Sequence, residues 1–342
     1  MGLEYIKRLP SPEEIAEQMP ISKELKQRKQ ERDQEIKDVF VGKSDKFLLI
    51  IGPCSADNED SVLDYMERLS ILQEQVADKI IMIPRIYTNK PRTTGEGYKG
   101  MVHQPDVNEK EDVVAGIKAI RKLHIRAAEM TGMTSADEML YPENYAYLDD
   151  ILSYVAIGAR SVENQQHRLT SSGLDIPVGM KNPTGGDISV MLNAIRAAQI
   201  GHSFIFRGHQ VETTGNPLTH AIMRGFVDPY GRNFPNYHYE DLQHLIEVYN
   251  QRGLDYPAII IDTNHANSNK KYQEQPRIAH EIIRNRNYDS VIKQHVKGLM
   301  VESYIEGGRQ EIGDGCYGKS ITDPCLSFAD TRKMVLEIAD KL

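Results

Sequence analysis

The sequence has only three cysteines, Cys54, Cys316 and Cys325, an odd and sparse set that argues against a disulfide framework. No apolar run approaches the ~20 residues that a membrane-spanning helix needs, and residues 1–18 carry no apolar core of the secretory kind. A cytoplasmic location with no membrane partner is therefore expected. Basic runs are missing too. The 41 Lys and Arg stand against 49 Asp and Glu, for a net charge of -8, so no positive stripe is on offer to a nucleic acid. Internal repeats and low-complexity tracts are absent. What is present is an ordinary globular composition, 40% hydrophobic and 26% charged over 342 residues, enough for one large α/β barrel with attachments.

From residue 47 onward the chain alternates short apolar runs with amphipathic stretches. Strands are expected at 47–53, 80–86, 133–138, 155–160, 177–182, 202–207, 258–263 and 299–304. Helices are expected at 61–76, 111–130, 142–154, 188–200, 239–252, 276–284 and 327–342. Eight strands alternating with helices is the count of a (β/α)8 TIM barrel, here spanning 46–342. Residues 208–236 mix glycine and proline with β-formers and read as a β-hairpin-like insertion after strand 6. An N-terminal helical extension, 1–45, precedes the barrel. Ser11-Pro12-Glu13-Glu14 supplies an N-cap, a first-turn proline and a capping-box glutamate. A second helix over 22–40 has a thin apolar face, Leu25, Ile36, Val39 and Phe40, which suits either a solvated arm or an arm packed on a neighbouring subunit.

In a barrel, functional side chains gather where the strands end. Those positions hold Cys54, Arg85, Glu138, Arg160, Lys181, His265 and Glu302. Ionisable groups in or directly after apolar strands are costly to bury unless paired, so their recurrence marks a site. Cys54 alone reads most simply as a small buried residue. With His265, Glu302 and Asp323 it offers one sulfur, one nitrogen and two carboxylates, a mixed donor set suited to Mn2+, Fe2+, Co2+ or Zn2+. Arg85, Lys90, Arg92, Arg160, Lys181 and Arg224 form a cationic excess in an acidic protein, which implies anionic substrates carrying several phosphate or carboxylate groups. Plainer roles exist for each: most histidines are surface residues, and Glu302 suits a structural ion pair. Lys181 is equally suited to a Schiff base. The residue chemistry leaves that choice open.

Seven motifs in order carry a family resemblance: Gly52-Pro53-Cys54-Ser55, Lys90-Pro91-Arg92-Thr93-Thr94, Gly158-Ala159-Arg160, Gly179-Met180-Lys181-Asn182, Asp262-Thr263-Asn264-His265-Ala266-Asn267, Met300-Val301-Glu302-Ser303 and Gly318-Lys319-Ser320-Ile321-Thr322-Asp323. Together they resemble 3-deoxy-D-arabino-heptulosonate 7-phosphate (DAHP) synthase of the microbial type I class. The resemblance implies a metal-dependent (β/α)8 transferase that condenses phosphoenolpyruvate with erythrose 4-phosphate at the entry to aromatic amino-acid synthesis. It makes Cys54, His265, Glu302 and Asp323 the metal ligands. It assigns the phosphoenolpyruvate phosphate to Arg160, Lys181 and Arg224, its carboxylate to Arg85 and Lys90, and the erythrose 4-phosphate phosphate to Arg92 and Thr93. Lys90, Arg85 and Glu138 become the catalytic group, with Lys90 the proton donor and Glu138 positioning water or cations. The same resemblance implies a homo-dimer or homo-tetramer and feedback by an aromatic amino acid through the N-terminal arm and the 208–236 segment.

The chain departs from the family pattern at Tyr98, where well-known members carry Trp, at Pro183 and at Phe226; tryptophan is absent throughout. Two alternatives stand beside this one. The related 3-deoxy-D-manno-octulosonate 8-phosphate synthase usually has Asn at the Pro91-Arg92 position and lacks the arm. A non-catalytic barrel that senses phosphorylated metabolites would not need the full donor set.

Overall fold

A parallel strand covered on both faces has to be apolar along its whole length, and Phe47–Gly52 meets that condition at every residue. It opens the barrel. In the computed structural model, which describes residues 2–92 and 94–342, two helices precede it, α1 (Pro12–Gln18) and α2 (Lys23–Phe40). The chain continues with β1 (Phe47–Gly52), α3 (Glu59–Val76), β2 (Ile80–Pro84), α4 (Val113–Thr131), β3 (Ala136–Glu138), α5 (Pro142–Tyr145) and β4 (Tyr154–Ile157). Next come α6 (Gln165–Ser171), β5 (Val178–Lys181), α7 (Ile188–Gln199), β6 (Ser203–Phe206), β7 (His209–Glu212) and β8 (His220–Met223). The last part holds β9 (Phe226–Val227), β10 (Asn233–Phe234), α8 (Tyr239–Gln251), β11 (Ile259–Asp262), α9 (Gln275–Tyr288), α10 (Ser290–His295), β12 (Val296–Glu302) and α11 (Phe328–Ala339).

Eight strands form one parallel sheet in the order β2-β1-β12-β11-β8-β5-β4-β3. The ring closes between the two ends of that order, where Arg85 bridges Ala136 and the Ile86 N–H donates to the Ala136 carbonyl at 2.9 Å. This is a (β/α)8 barrel, as the alternation predicted. Helix starts follow local chemistry: Asn58 caps α3, Asp112 caps α4 and Asp187 caps α7, each oxygen satisfying an otherwise orphaned N–H. Gly132, at φ +69°, ends α4 in the left-handed conformation that glycine adopts without strain.

The sixth barrel strand is not the 202–207 run. That run does form a strand, β6, but it pairs antiparallel with β7 in a hairpin outside the barrel whose residues are half or fully exposed. The barrel position between β5 and β11 belongs to β8, buried at all four residues and lying inside the stretch read as an insertion. Phe204, Ile205 and Phe206 carry the stronger β signature, yet a central strand must bury both faces and this ribbon leaves alternate residues in solvent. A hairpin does follow the sixth strand, formed by β9 and β10. The helix expected over 142–154 is only the single turn of α5.

The arm helix α2 is not the solvated arm of the first alternative. Its buried residues are the four of the apolar face, Leu25, Ile36, Val39 and Phe40. Three of them, Ile36, Val39 and Phe40, pack with Leu48, Ile50, Ile81, Ile83 and Ile260 inside the barrel. The Phe40 ring lies 4.4 Å from that of His220, and Arg32 donates to the Met82 carbonyl at 2.7 Å. The arm therefore plugs the N-terminal end of its own barrel, and the other, carboxyl end is left for chemistry. Among the described residues no helix is long and apolar enough to cross a membrane.

Candidate active site

At the carboxyl ends of the strands lies a cavity of about 280 Å³. Cys54, Arg85, Lys90, Arg92, Glu138, Arg160, Lys181, Arg224, His265, Glu302 and Asp323 all line it, so residues far apart in sequence converge as their strand-end positions implied. Thr93 lies outside the described residues. Two glycines make the convergence possible. A Cβ on Gly52 would sit 2.3 Å from the Arg85 carbonyl oxygen, and one on Gly158 would sit 2.6 Å from Glu138 Oε1. Any side chain there would push Arg85 or Glu138 out of place.

At the centre, Cys54 Sγ and one carboxylate oxygen each from Glu302 and Asp323 lie within 4.8 Å of one another. Lys90 Nζ stands among them, 2.7 Å from Cys54 Sγ and 2.8 Å from Asp323 Oδ2. Burial pushes the Cys54 thiol up to about 12, with the Glu302 charge adding to the shift. The Lys90 charge, reinforced by a hydrogen bond, holds Asp323 well below the usual carboxylate range. Burial disfavours the Lys90 ammonium, but Cys54, Asp323 and Glu302 outweigh it and keep the lysine above its ordinary value. A sulfur and two carboxylates gathered around a positive group are a donor set that fits a borderline divalent cation.

Glu302 is held from several sides. Arg85 Nη2 reaches Oε1 at 3.1 Å and Asn264 Nδ2 reaches Oε2 at 2.5 Å. Its backbone is gripped by one side chain: the Glu302 N–H donates to Gln275 Oε1 at 3.0 Å while Gln275 Nε2 donates to the Glu302 carbonyl at 2.9 Å. Arg85 also donates to the Pro53 carbonyl at 3.0 Å, and its guanidinium lies 3.9 Å above the Tyr87 ring, a cation–π contact in a site with little water to compete.

His265 faces the cavity without joining the three-residue cluster. Its Nδ1 lies 2.8 Å from Asp262 Oδ2, close but poorly directed for a hydrogen bond. The backbone at His265 has φ +48°, a conformation that costs a non-glycine residue on the order of 1–2 kcal/mol and recurs at functional sites. Asp262 is fully buried, and although burial opposes its charge, His265, Lys181 and Arg224 hold it well below the carboxylate range. Lys181 Nζ is 3.6 Å from Asp262 Oδ2 and 3.8 Å from Glu138 Oε2, so it stands between two carboxylates. Arg224 Nη1 is buried with no hydrogen-bond partner among the described residues, and burial lowers the Arg224 pKa. A buried cation with an unused donor needs an acceptor from outside the chain.

The sequence left Tyr87, Asn264, Lys270 and Gln275 without roles, although three line the cavity and Gln275 clamps Glu302. Tyr87 and Asn264 sat within reach, each next to or two residues from a chosen position. Nothing in the sequence singles out Gln275, which acts through the backbone.

The DAHP synthetase I family matches residues 18–336. The Tyr-sensitive phospho-2-dehydro-3-deoxyheptonate aldolase of Escherichia coli is 36% identical, the match covering 98% of this chain and 93% of the relative. The Trp-sensitive protein of Shigella flexneri is 34% identical, with 98% and 95% covered. Among solved structures, the phospho-2-dehydro-3-deoxyheptonate aldolase of Francisella tularensis superposes with a TM-score of 0.92 at 28% identity, over 99% of this chain and 98% of that one. With its barrel, its converging strand ends and these relatives, the chain belongs to the DAHP synthetase I family.

Proposed function

We propose that the chain condenses phosphoenolpyruvate with erythrose 4-phosphate and water to give DAHP and inorganic phosphate, the first step of the shikimate pathway. The observation that carries this is one cavity joining the Cys54, Glu302 and Asp323 cluster to Arg160, Lys181 and Arg224. One group suits a cation, the other an anion. Carbon C3 of phosphoenolpyruvate attacks the aldehyde carbon, the aldehyde oxygen takes a proton, water adds at C2, and phosphate leaves with cleavage of its C–O bond.

Arg160, Lys181 and Arg224 hold the phosphate of phosphoenolpyruvate, supported by the orphan Nη1 of Arg224. Arg85 and Lys90 take the carboxylate, and Arg92 with Thr93 takes the phosphate of erythrose 4-phosphate. Lys90, kept charged by its acidic neighbours, delivers a proton to the aldehyde oxygen. Glu138, within 3.8 Å of Lys181, orients the water that adds at C2. A divalent ion held by Cys54, Glu302 and Asp323, with His265 as the fourth ligand, would supply Lewis-acid polarisation of the aldehyde. Asp262 beside His265 Nδ1 suits that role, since a carboxylate behind a ligating imidazole fixes its tautomer and leaves Nε2 for the ion.

We further propose regulation by an aromatic amino acid, in line with relatives named Tyr-sensitive and Trp-sensitive, a homo-dimer or homo-tetramer joined through the arm, and a cytoplasmic location. Chelation is expected to abolish phosphoenolpyruvate consumption and Mn2+ to restore it, with erythrose 4-phosphate and not arabinose 5-phosphate as the acceptor. Undiminished turnover by metal-free Cys54→Ala protein would sink the metal-site assignment, and turnover only with arabinose 5-phosphate would sink the substrate assignment.

A further inference from the structure

Behind the anion-binding wall lies a polar cluster that carries no charge. Asn182, Asn236 and Asn267 are 0%, 6% and 4% exposed, and each spends its amide on backbone. Asn182 Oδ1 accepts from the Arg224 N–H at 2.9 Å, and its Nδ2 donates to the Gly225 carbonyl at 2.9 Å. Asn236 Oδ1 accepts from the Gly225 N–H at 2.7 Å. Asn267 Nδ2 donates to the carbonyls of Met223 at 3.1 Å and Asp262 at 2.7 Å. The three are joined to one another: Asn236 Nδ2 donates to Asn182 Oδ1 at 3.2 Å, and the Asn236 N–H donates to Asn267 Oδ1 at 2.9 Å.

The consequence falls on one corner. From Met223 to Gly225, four backbone polar atoms end on these three side chains. Gly225 stands at φ +71°, and a Cβ there would meet Asn267 N at 2.6 Å and the Phe234 carbonyl oxygen at 2.7 Å. A shift of the corner therefore breaks buried hydrogen bonds, and Arg224 leaves it for the cavity. Only an amide fits such a network, because a carboxylate cannot donate and an apolar side chain would orphan buried backbone groups. The network ties the exits of β5, β8 and β11 together and, among the described residues, makes no hydrogen bond to the β1 and β2 exits, where Arg85 and Lys90 arise.

We propose that Asn182, Asn236 and Asn267 are positioning residues that fix the Arg224–Gly225 corner, and with it the end of the site that receives the phosphate of phosphoenolpyruvate. This rests on Arg224 being a phosphate contact. Misplacing a binding group by about 1 Å can cost on the order of 100-fold. Asn236→Ala is therefore expected to raise the dissociation constant for phosphoenolpyruvate, measured by calorimetry, at least ~10-fold, while the KM for erythrose 4-phosphate moves less than ~2-fold.

Three further proteins complete the test. Arg224→Ala alone should weaken phosphoenolpyruvate binding; if it does not, the phosphate assignment fails. In the Arg224→Ala background, adding Asn236→Ala should weaken binding little further, because the amide acts through the arginine it holds. Independent, additive losses in that cycle, or an Asn236→Ala protein that weakens both substrates equally, would overturn the positioning role while leaving the phosphate assignment standing. Asn236→Asp keeps the shape and the acceptor for the Gly225 N–H but cannot donate to Asn182. It carries the same comparison should the alanine variant not fold.

Discussion

The two ends of the barrel are made from the same eight strands and obey different rules. At the N-terminal end the interior is filled by Leu48, Ile50, Ile81, Ile83 and Ile260 with the α2 residues Ile36, Val39 and Phe40. The polar pair found there is satisfied: Tyr154 donates to His220 Nε2 at 2.8 Å, and His220 Nδ1 donates to the Leu218 carbonyl at 2.9 Å. At the carboxyl end, Arg85, Lys181, Glu302 and Asp262 are 2%, 3%, 1% and 0% exposed, yet Arg85 Nη1, Arg224 Nη1 and Asp262 Oδ2 lack hydrogen-bond partners among the described residues. The lower half supplies stability. The upper half holds a fixed field of charges, arranged before any substrate arrives, which is how an enclosed site lowers the energy of developing charge.

Arg85→Ala tests the upper half and should have the largest effect. It leaves Glu302 buried beside no guanidinium, so stability should fall by about 3–5 kcal/mol, and kcat/KM should fall by roughly 100-fold or more if Arg85 makes the carboxylate contact proposed above. Phe40→Ala tests the plug. Truncating a buried aromatic costs about 3–5 kcal/mol, and a residue at the end of α2 belongs at the lower edge of that range. Urea unfolding should report the loss while kcat/KM at low temperature stays at the wild-type value. If Phe40→Ala cuts activity as deeply as stability, the two ends are coupled and the contrast drawn above is wrong.

The smallest effect concerns pH. Burial lowers His220 from 6.5 to about 4, so the folded protein keeps it neutral while an unfolded chain takes up a proton below about 6.5. The unfolded state binds the extra proton between those values, and stability therefore rises with pH from about 4 to 6.5. The contribution is at most on the order of 3 kcal/mol for one fully buried group. Thermal unfolding of His220→Gln should show a flatter rise over that window, and an unchanged slope would remove His220 from the account.

How legible was all this in the sequence? The barrel was, because buried parallel strands such as Phe47–Gly52 leave uninterrupted apolar runs. The charged wall was as well, since ionisable groups directly after such runs stand out. The sixth strand was not: His-Ala-Ile-Met in β8 has a weaker β signature than Ser-Phe-Ile-Phe in β6, and burial rather than propensity selects the barrel member. The role of α2 was hidden for a related reason. Its four apolar residues were visible, but a thin stripe does not say which surface it covers. Asn182 and Asn267 stood inside two of the motifs without a role, and Asn236 and Gln275 escaped altogether, because amides that bond to backbone leave no periodic or electrostatic trace.

Barrel closure also sets an order in time. β1 hydrogen-bonds to β2 on one side and β12 on the other, Leu48 opposite Gly298. Synthesis at roughly 5–20 residues per second takes about 12–50 s to cross that interval. Throughout it, the run Phe-Leu-Leu-Ile-Ile offers one unpaired edge without a charge or proline to interrupt it, the composition most prone to pair with another chain. The strand that delivers Cys54 to the site is thus also the segment most exposed to aggregation while the protein is being made.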